Sequence, residues 1–167
     1  AYSWKGEDTL LALRNHEQAS LAYMGLKDTA SAMSVIEEVA KKYLEFGHPS
    51  DAAISYGLNI KPLIDKGEYS KANDYMAMYE SKSGLFDSLG NITAGREIYY
   101  NVKGLYYYYL NVQDSAEHFF RKELKTSKDF NVQHMGAEGL AYLYQKHHRP
   151  DSVAKYAFYA YAMKDSV

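Results

Sequence analysis

No cysteine occurs in the sequence, which excludes disulfides, thiolate zinc sites and cysteine nucleophiles and leaves both reducing and oxidising compartments open. Proline is scarce, with 3 in 167 residues, so little interrupts helix formation. No block of lysine and arginine is present either. Nineteen basic residues against 21 acidic ones give a formal net charge of −2, and nothing in that balance would neutralise a run of phosphates, which argues against nucleic acid as a partner. Long apolar runs are missing too: the longest uncharged stretch, residues 104–113, has 10 residues and is rich in tyrosine, where a spanning helix needs about 20 apolar residues. The opening Ala1-Tyr2-Ser3-Trp4-Lys5-Gly6-Glu7 lacks the apolar core and cleavage site of a signal peptide. The expectation is a soluble fragment with no membrane segment of its own: either the mature chain is soluble, or targeting and membrane segments were cut away.

What is present points to a folded helical chain. Hydrophobic residues make up 47% and charged residues 24%, close to globular averages, so there is enough apolar material to offset chain entropy. The length suits one domain, taken as 1–167. Eighteen tyrosines supply large rings with polar tips for packing or for contact surfaces.

A short phrase recurs along the chain. Lys27-Asp28-Thr29-Ala30 returns as Gln113-Asp114-Ser115-Ala116 and as Pro150-Asp151-Ser152-Val153, with a looser copy in Gly67-Glu68-Tyr69-Ser70-Lys71-Ala72. Each copy reads as a helix start, where Asp, Ser or Thr accepts from free N–H groups and an acid complements the macrodipole. Apolar residues then follow at helical spacing: Ala72, Tyr75, Met76 and Tyr79; Ala116, Phe119, Phe120 and Leu124; Val153, Ala157, Ala160 and Tyr161; and, in the first copy, Ala32, Ile36, Val39, Ala40 and Tyr43. Another periodic segment precedes each of these, near 10–25, 50–65, 94–111 and 132–147. The pattern predicts eight helices in four antiparallel hairpins, units of roughly 10–46, 50–82, 94–127 and 132–164, with residues 81–92 as a connector.

These residues also carry a resemblance. Tyr100, Gly104, Tyr107, Ala116 and Phe120 match the W-x3-G-x2-Y and A-x3-F pattern of the tetratricopeptide repeat (TPR). The second unit keeps Gly67, Tyr69 and Ala72 but has Ile60 in place of the glycine; the fourth keeps Leu140, Tyr144, Val153 and Ala160, with Ala141 there. Further phrases, Tyr79-Glu80-Ser81, Phe86-Asp87, Arg96-Glu97-Ile98-Tyr99-Tyr100 and a closing Lys164-Asp165-Ser166, resemble the TPR sensor portion of bacterial regulators in which such repeats precede a membrane helix and a DNA-binding or kinase module. The resemblance implies an all-α fold, a right-handed TPR-like superhelix of about four helix hairpins (an α-α solenoid). It implies a non-enzymatic protein–protein interaction module: the sensor of a larger, membrane-tethered regulatory protein with this part extracytoplasmic, or alternatively a freestanding cytoplasmic scaffold that assembles a complex. It implies a protein or peptide partner and leaves room for a homodimer.

In the TPR register Tyr107 is the packing position, and Asn101, Leu105, Tyr108 and Tyr109 would line the inner surface together with Tyr142 and Lys146 of the next unit. Consecutive helix positions turn about 100° each, so the run Tyr106 to Tyr109 cannot all face one core; the rings either line a groove or cover core edges. The six histidines, His16, His48, His118, His134, His147 and His148, show no H-E-x-x-H or paired i, i+4 spacing, so no metal site and no cofactor is expected. Ser152 and Lys155 match an isolated S-x-x-K, but its companion motifs are absent. No catalytic residue is assigned, and the chain reads as a binder, not an enzyme.

Overall fold

A computed structural model describes residues 3–25 and 28–164, with backbone alone for residues 3–8 and 21–25. Lys27, Asp165 and Ser166 of the phrases above lie outside the described residues. Among those described the fold is all-helical: α1 (Ser3–Gly25), α2 (Thr29–Glu45), α3 (Pro49–Leu58), α4 (Ile60–Asp65), α5 (Tyr69–Lys82), α6 (Ile98–Tyr109), α7 (Gln113–Thr126), α8 (Phe130–Lys146) and α9 (Pro150–Lys164). The segment expected as one helix near 50–65 is broken between α3 and α4. Pro62 explains the break, since its ring has no N–H for the Leu58 carbonyl one turn back and clashes with it. Asn59 fills the gap: it is fully buried, and its Nδ2 donates to the Met33 carbonyl of α2 over 3.0 Å.

The chain divides into two compact units, Ala1–Asp87 and Ser88–Val167. In the first, α1 packs on α2, α2 on α3, and α3 and α4 on α5. Its core gathers Leu13, Val39, Ala40, Tyr43, Ala52 and Tyr56, so the apolar stripe of α2 is buried as its period requires. Gly57 has no side chain because Tyr79 lies against it; a Cβ there would fall 2.5 Å from the ring. The close approach in this unit is thus made at Gly57, not at Ile60, whose side chain is core.

In the second unit α6 packs on α7, α7 on α8, α8 on α9, and α6 also touches α8. Phe120 of α7 is fully buried, and Gly104 of α6 and Gly139 of α8 close on it from two sides, each leaving 2.5 Å between a notional Cβ and the ring. Only glycine permits that approach. Around it sit Ala116, Leu140, Leu143, Tyr144 and Tyr156.

Four helix ends share one turn. After α2, α4, α6 and α8 a residue with positive φ, Gly47 (77°), Gly67 (77°), Asn111 (60°) or His148 (53°), reverses the chain. In each, that residue's N–H and the next one's bond back to the last turn, as in Asn111 to Tyr108 and Val112 to Tyr107, a Schellman closure. This backbone repeat is more regular than the sequence phrase that announced it.

Three expectations change in detail. Of the helix-start phrases, only Asp28 caps by its side chain, accepting from the Ser31 N–H at 3.2 Å; Asp114 and Asp151 lie inside the first turns of α7 and α9, where they act on the macrodipole. In the tyrosine run Tyr106 is the buried ring, and Tyr107 is half-buried and stacked on Phe119 at 5.6 Å. In α9, Tyr156 and Ala160 face inward while Ala157 and Tyr161, expected in the same stripe as Ala160, are exposed. The stacked Tyr144–Tyr156 pair (5.6 Å) rotates α9 so that a second apolar face points outward.

Candidate functional site

The residues named from the TPR register fall into two groups in the second unit. Tyr108, Tyr109, Tyr142 and Lys146 form an aromatic ledge on neighbouring helices α6 and α8, with Tyr108, Tyr109 and Lys146 in their last turns. Tyr108 is half-buried, resting on the core below, and meets Tyr109 edge to face at 5.4 Å. Lys146 crosses from α8, its Nζ 4.7 Å from the Tyr108 ring centre and donating to the Tyr108 carbonyl at 3.3 Å. A cation over a ring face is attracted by its quadrupole, so Lys146 ties the two helices together without hiding its charge. Tyr142 stands one turn earlier on α8, its hydroxyl donating to Glu138 at 3.2 Å. The Glu138 carboxylate holds the Tyr142 phenol above the usual tyrosine range, chiefly by its charge and then by that bond, with a smaller effect from Tyr108. Tyr109 and Tyr142 remain 47% and 52% exposed, which leaves two large rings, one ammonium and one carboxylate facing outward.

Leu105 and Asn101 do not join the ledge surface. Leu105 is half-buried against the core of the unit. Asn101 is only 4% exposed, and its Nδ2 donates to Glu123 Oε2 at 3.0 Å; an amide held inside the α6–α7 interface cannot meet a partner. The helical period turns Asn101 inward because it lies one position past the buried Tyr100 and three before Gly104.

Its partner, Glu123, is a feature the sequence reading missed. This carboxyl is fully buried among α6, α7 and α8, and its Oε1 has no hydrogen-bond partner. Loss of solvation raises its pKa to about 8, opposed only by the Asn101 bond. Gly136 makes room for it, since a Cβ there would stand 2.9 Å from Oε2. The signal was available: Glu123 falls seven residues after Ala116 and three after Phe120, on the same face.

A second polar cluster crosses α7, α8 and α9. Arg121 donates to Glu117 at 2.8 Å, to the Tyr144 hydroxyl at 2.7 Å and to the Tyr156 hydroxyl at 2.8 Å, and Tyr144 donates to Glu117 at 2.7 Å. Burial works against the Glu117 carboxylate, but the bonds from Tyr144 and Arg121 outweigh it and hold its pKa below the usual range. Every arm is satisfied within the protein, so the cluster orders three helices. Among the described residues no group of three His, Asp or Glu side chains is placed to hold a metal ion, and no helix is long and apolar enough to cross a membrane. Comparison with protein-family models, curated proteins and solved structures finds no match to this chain.

Proposed function

We propose that the chain is a TPR-type protein–protein interaction module that acts by binding, and that it holds an extended or helical peptide segment of a partner on the Tyr109–Tyr142 ledge. The observation that supports this most is the pairing of two half-exposed tyrosines with the exposed Lys146 ammonium on adjacent helices. Tyrosine gives large contact area at low conformational cost and a hydrogen-bonding tip, the composition enriched where proteins meet. Lys146 and Glu138 at either side would fix the direction of a bound segment carrying opposite charges. The role in a larger bacterial regulatory protein, as its sensor part, rests on the sequence resemblance alone.

The test selects peptides from a displayed random library against the full chain, then measures their affinity for the wild type and for a Tyr109→Ala/Tyr142→Ala variant. Both rings stand on the surface, so the variant is expected to melt within a few degrees of wild type and to lose at least tenfold in affinity, on the order of 1.4 kcal/mol or more. Equal affinity in the two proteins sinks the ledge as the binding site.

A further inference from the structure

Charge of one sign gathers on one side of α7. Arg121, Lys122 and Lys125 stand there at neighbouring helical positions, with His118 one turn earlier, and together with Thr126 they line an open hollow of about 410 Å³. His118, Arg121 and Lys125 are exposed and Lys122 is half-buried. The acids of the same stretch of helix do not answer them. Glu123 is fully buried, and Glu117 is taken by Arg121 and by the Tyr144 hydroxyl. Among the described residues no carboxylate forms an ion pair with Lys122 or Lys125; Glu97, in the hollow on the other side of Lys122, and Asp129, which caps α8, stay outside that reach. Like charges at i, i+4, as in Arg121 and Lys125, cost a helix stability. On α2 and α4 a lysine at that spacing meets an acid instead, Lys42 with Glu38 at 3.1 Å and Lys61 with Asp65 at 2.7 Å.

We infer that this side of α7 is a docking surface for an acidic peptide segment of a partner protein, whose carboxylates bring to Lys122 and Lys125 the counter-charge that the helix lacks. Arg121 is fixed by Glu117, Tyr144 and Tyr156, so it gives the hollow a rigid wall, and the two lysines, three positions apart, carry the contact. A nucleic acid fits less well, because the rings beside the charges are already occupied. Tyr100 is buried with the Lys122 ammonium 4.8 Å from its centre, and Phe119 is stacked on Tyr107 at 5.6 Å and carries the Lys103 ammonium at 4.8 Å. Bases would find charge there without a stacking platform, whereas carboxylates need only the charge. The surface shares no residue with the tyrosine ledge, so it stands or falls separately.

Fluorescence anisotropy of a labelled octaglutamate peptide, titrated with the full chain at about 50 mM salt, tests this. The wild type is expected to bind it and to lose affinity as salt rises. Lys122→Gln/Lys125→Gln is expected to weaken binding about fivefold, and Lys125→Gln alone, which removes no contact within the protein, about twofold, without lowering the melting temperature. Lys41→Gln/Lys66→Gln removes the same charge elsewhere and is expected to leave binding unchanged. No binding to the wild type overturns the proposal, as does a loss in the Lys41/Lys66 variant equal to that in the Lys122/Lys125 variant, which would report net charge alone. A single-stranded oligonucleotide of the same charge that binds this surface more tightly than the peptide overturns it too.

Discussion

Glu123 is the residue at which the physics of the second unit is most exposed to test. Its neutral form is favoured in the folded state because burial strips the carboxylate of solvation and only the Asn101 bond opposes this, so its pKa, pushed up to about 8, lies well above the 4.5 of an exposed glutamate. The sign follows from linkage: the folded state holds the proton more tightly, so Glu123's contribution is complete below about pH 4.5 and is lost as pH rises towards and through about 8. The slope cannot exceed about 1.4 kcal/mol per pH unit for one group. Denaturant melts from pH 5 to pH 9 are expected to show this decline in the wild type and a flatter profile in Glu123→Gln, which keeps an acceptor for Asn101 and cannot ionise. Identical profiles for the two proteins would mean that Glu123 is solvated in the folded state. Phe120 offers a simpler check. Truncation to Ala between Gly104 and Gly139 is expected to cost about 3–5 kcal/mol in chemical denaturation, since two glycines leave nothing to collapse into the space.

At the scale of helices and turns, the order of elements was legible in the sequence and the rotation of some of them was not. The periodic stripes of α2, α5 and α7 point where they were expected, because Ala32, Ile36 and Val39, or Ala116 and Phe120, leave only one apolar face to bury. The tyrosine run in α6 and the alanine–aromatic pattern of α9 offer more than one such face, and there tertiary contacts decide. Phe119 stacks on Tyr107 and leaves Tyr106 as the buried ring, and Tyr144 draws Tyr156 inward. The break at Asn59 is legible in Pro62, although the longer periodic pattern runs across it. Of the residues named for a groove, Tyr109, Tyr142 and Lys146 reach the surface, while Asn101 is consumed by a buried acid that the apolar pattern hid. The shared Schellman turns bring a prediction of their own. His148 holds a left-handed conformation (φ 53°) that strains any side chain and suits glycine. His148→Gly is expected to raise the melting temperature by a few degrees, on the order of 0.5–1 kcal/mol, a shift that differential scanning calorimetry resolves.

For the molecule as a whole, each of the two units is organised by helices packed side by side, and the second carries the surface proposed for function, the tyrosine ledge on α6 and α8. The ledge is formed by helices whose last turns are held by the same backbone closure, which gives its rings a rigid base and keeps the ordering cost of binding low. The ledge is proposed to hold a peptide. The most direct measurement is an isothermal titration of one library-selected peptide into the chain and into its Tyr109→Ala/Tyr142→Ala variant, with Phe158→Glu, a change at an exposed position of α9, as a folded control. Binding retained in Phe158→Glu and weakened at least tenfold in the tyrosine variant is the expected result; binding of equal strength in all three proteins would contradict it.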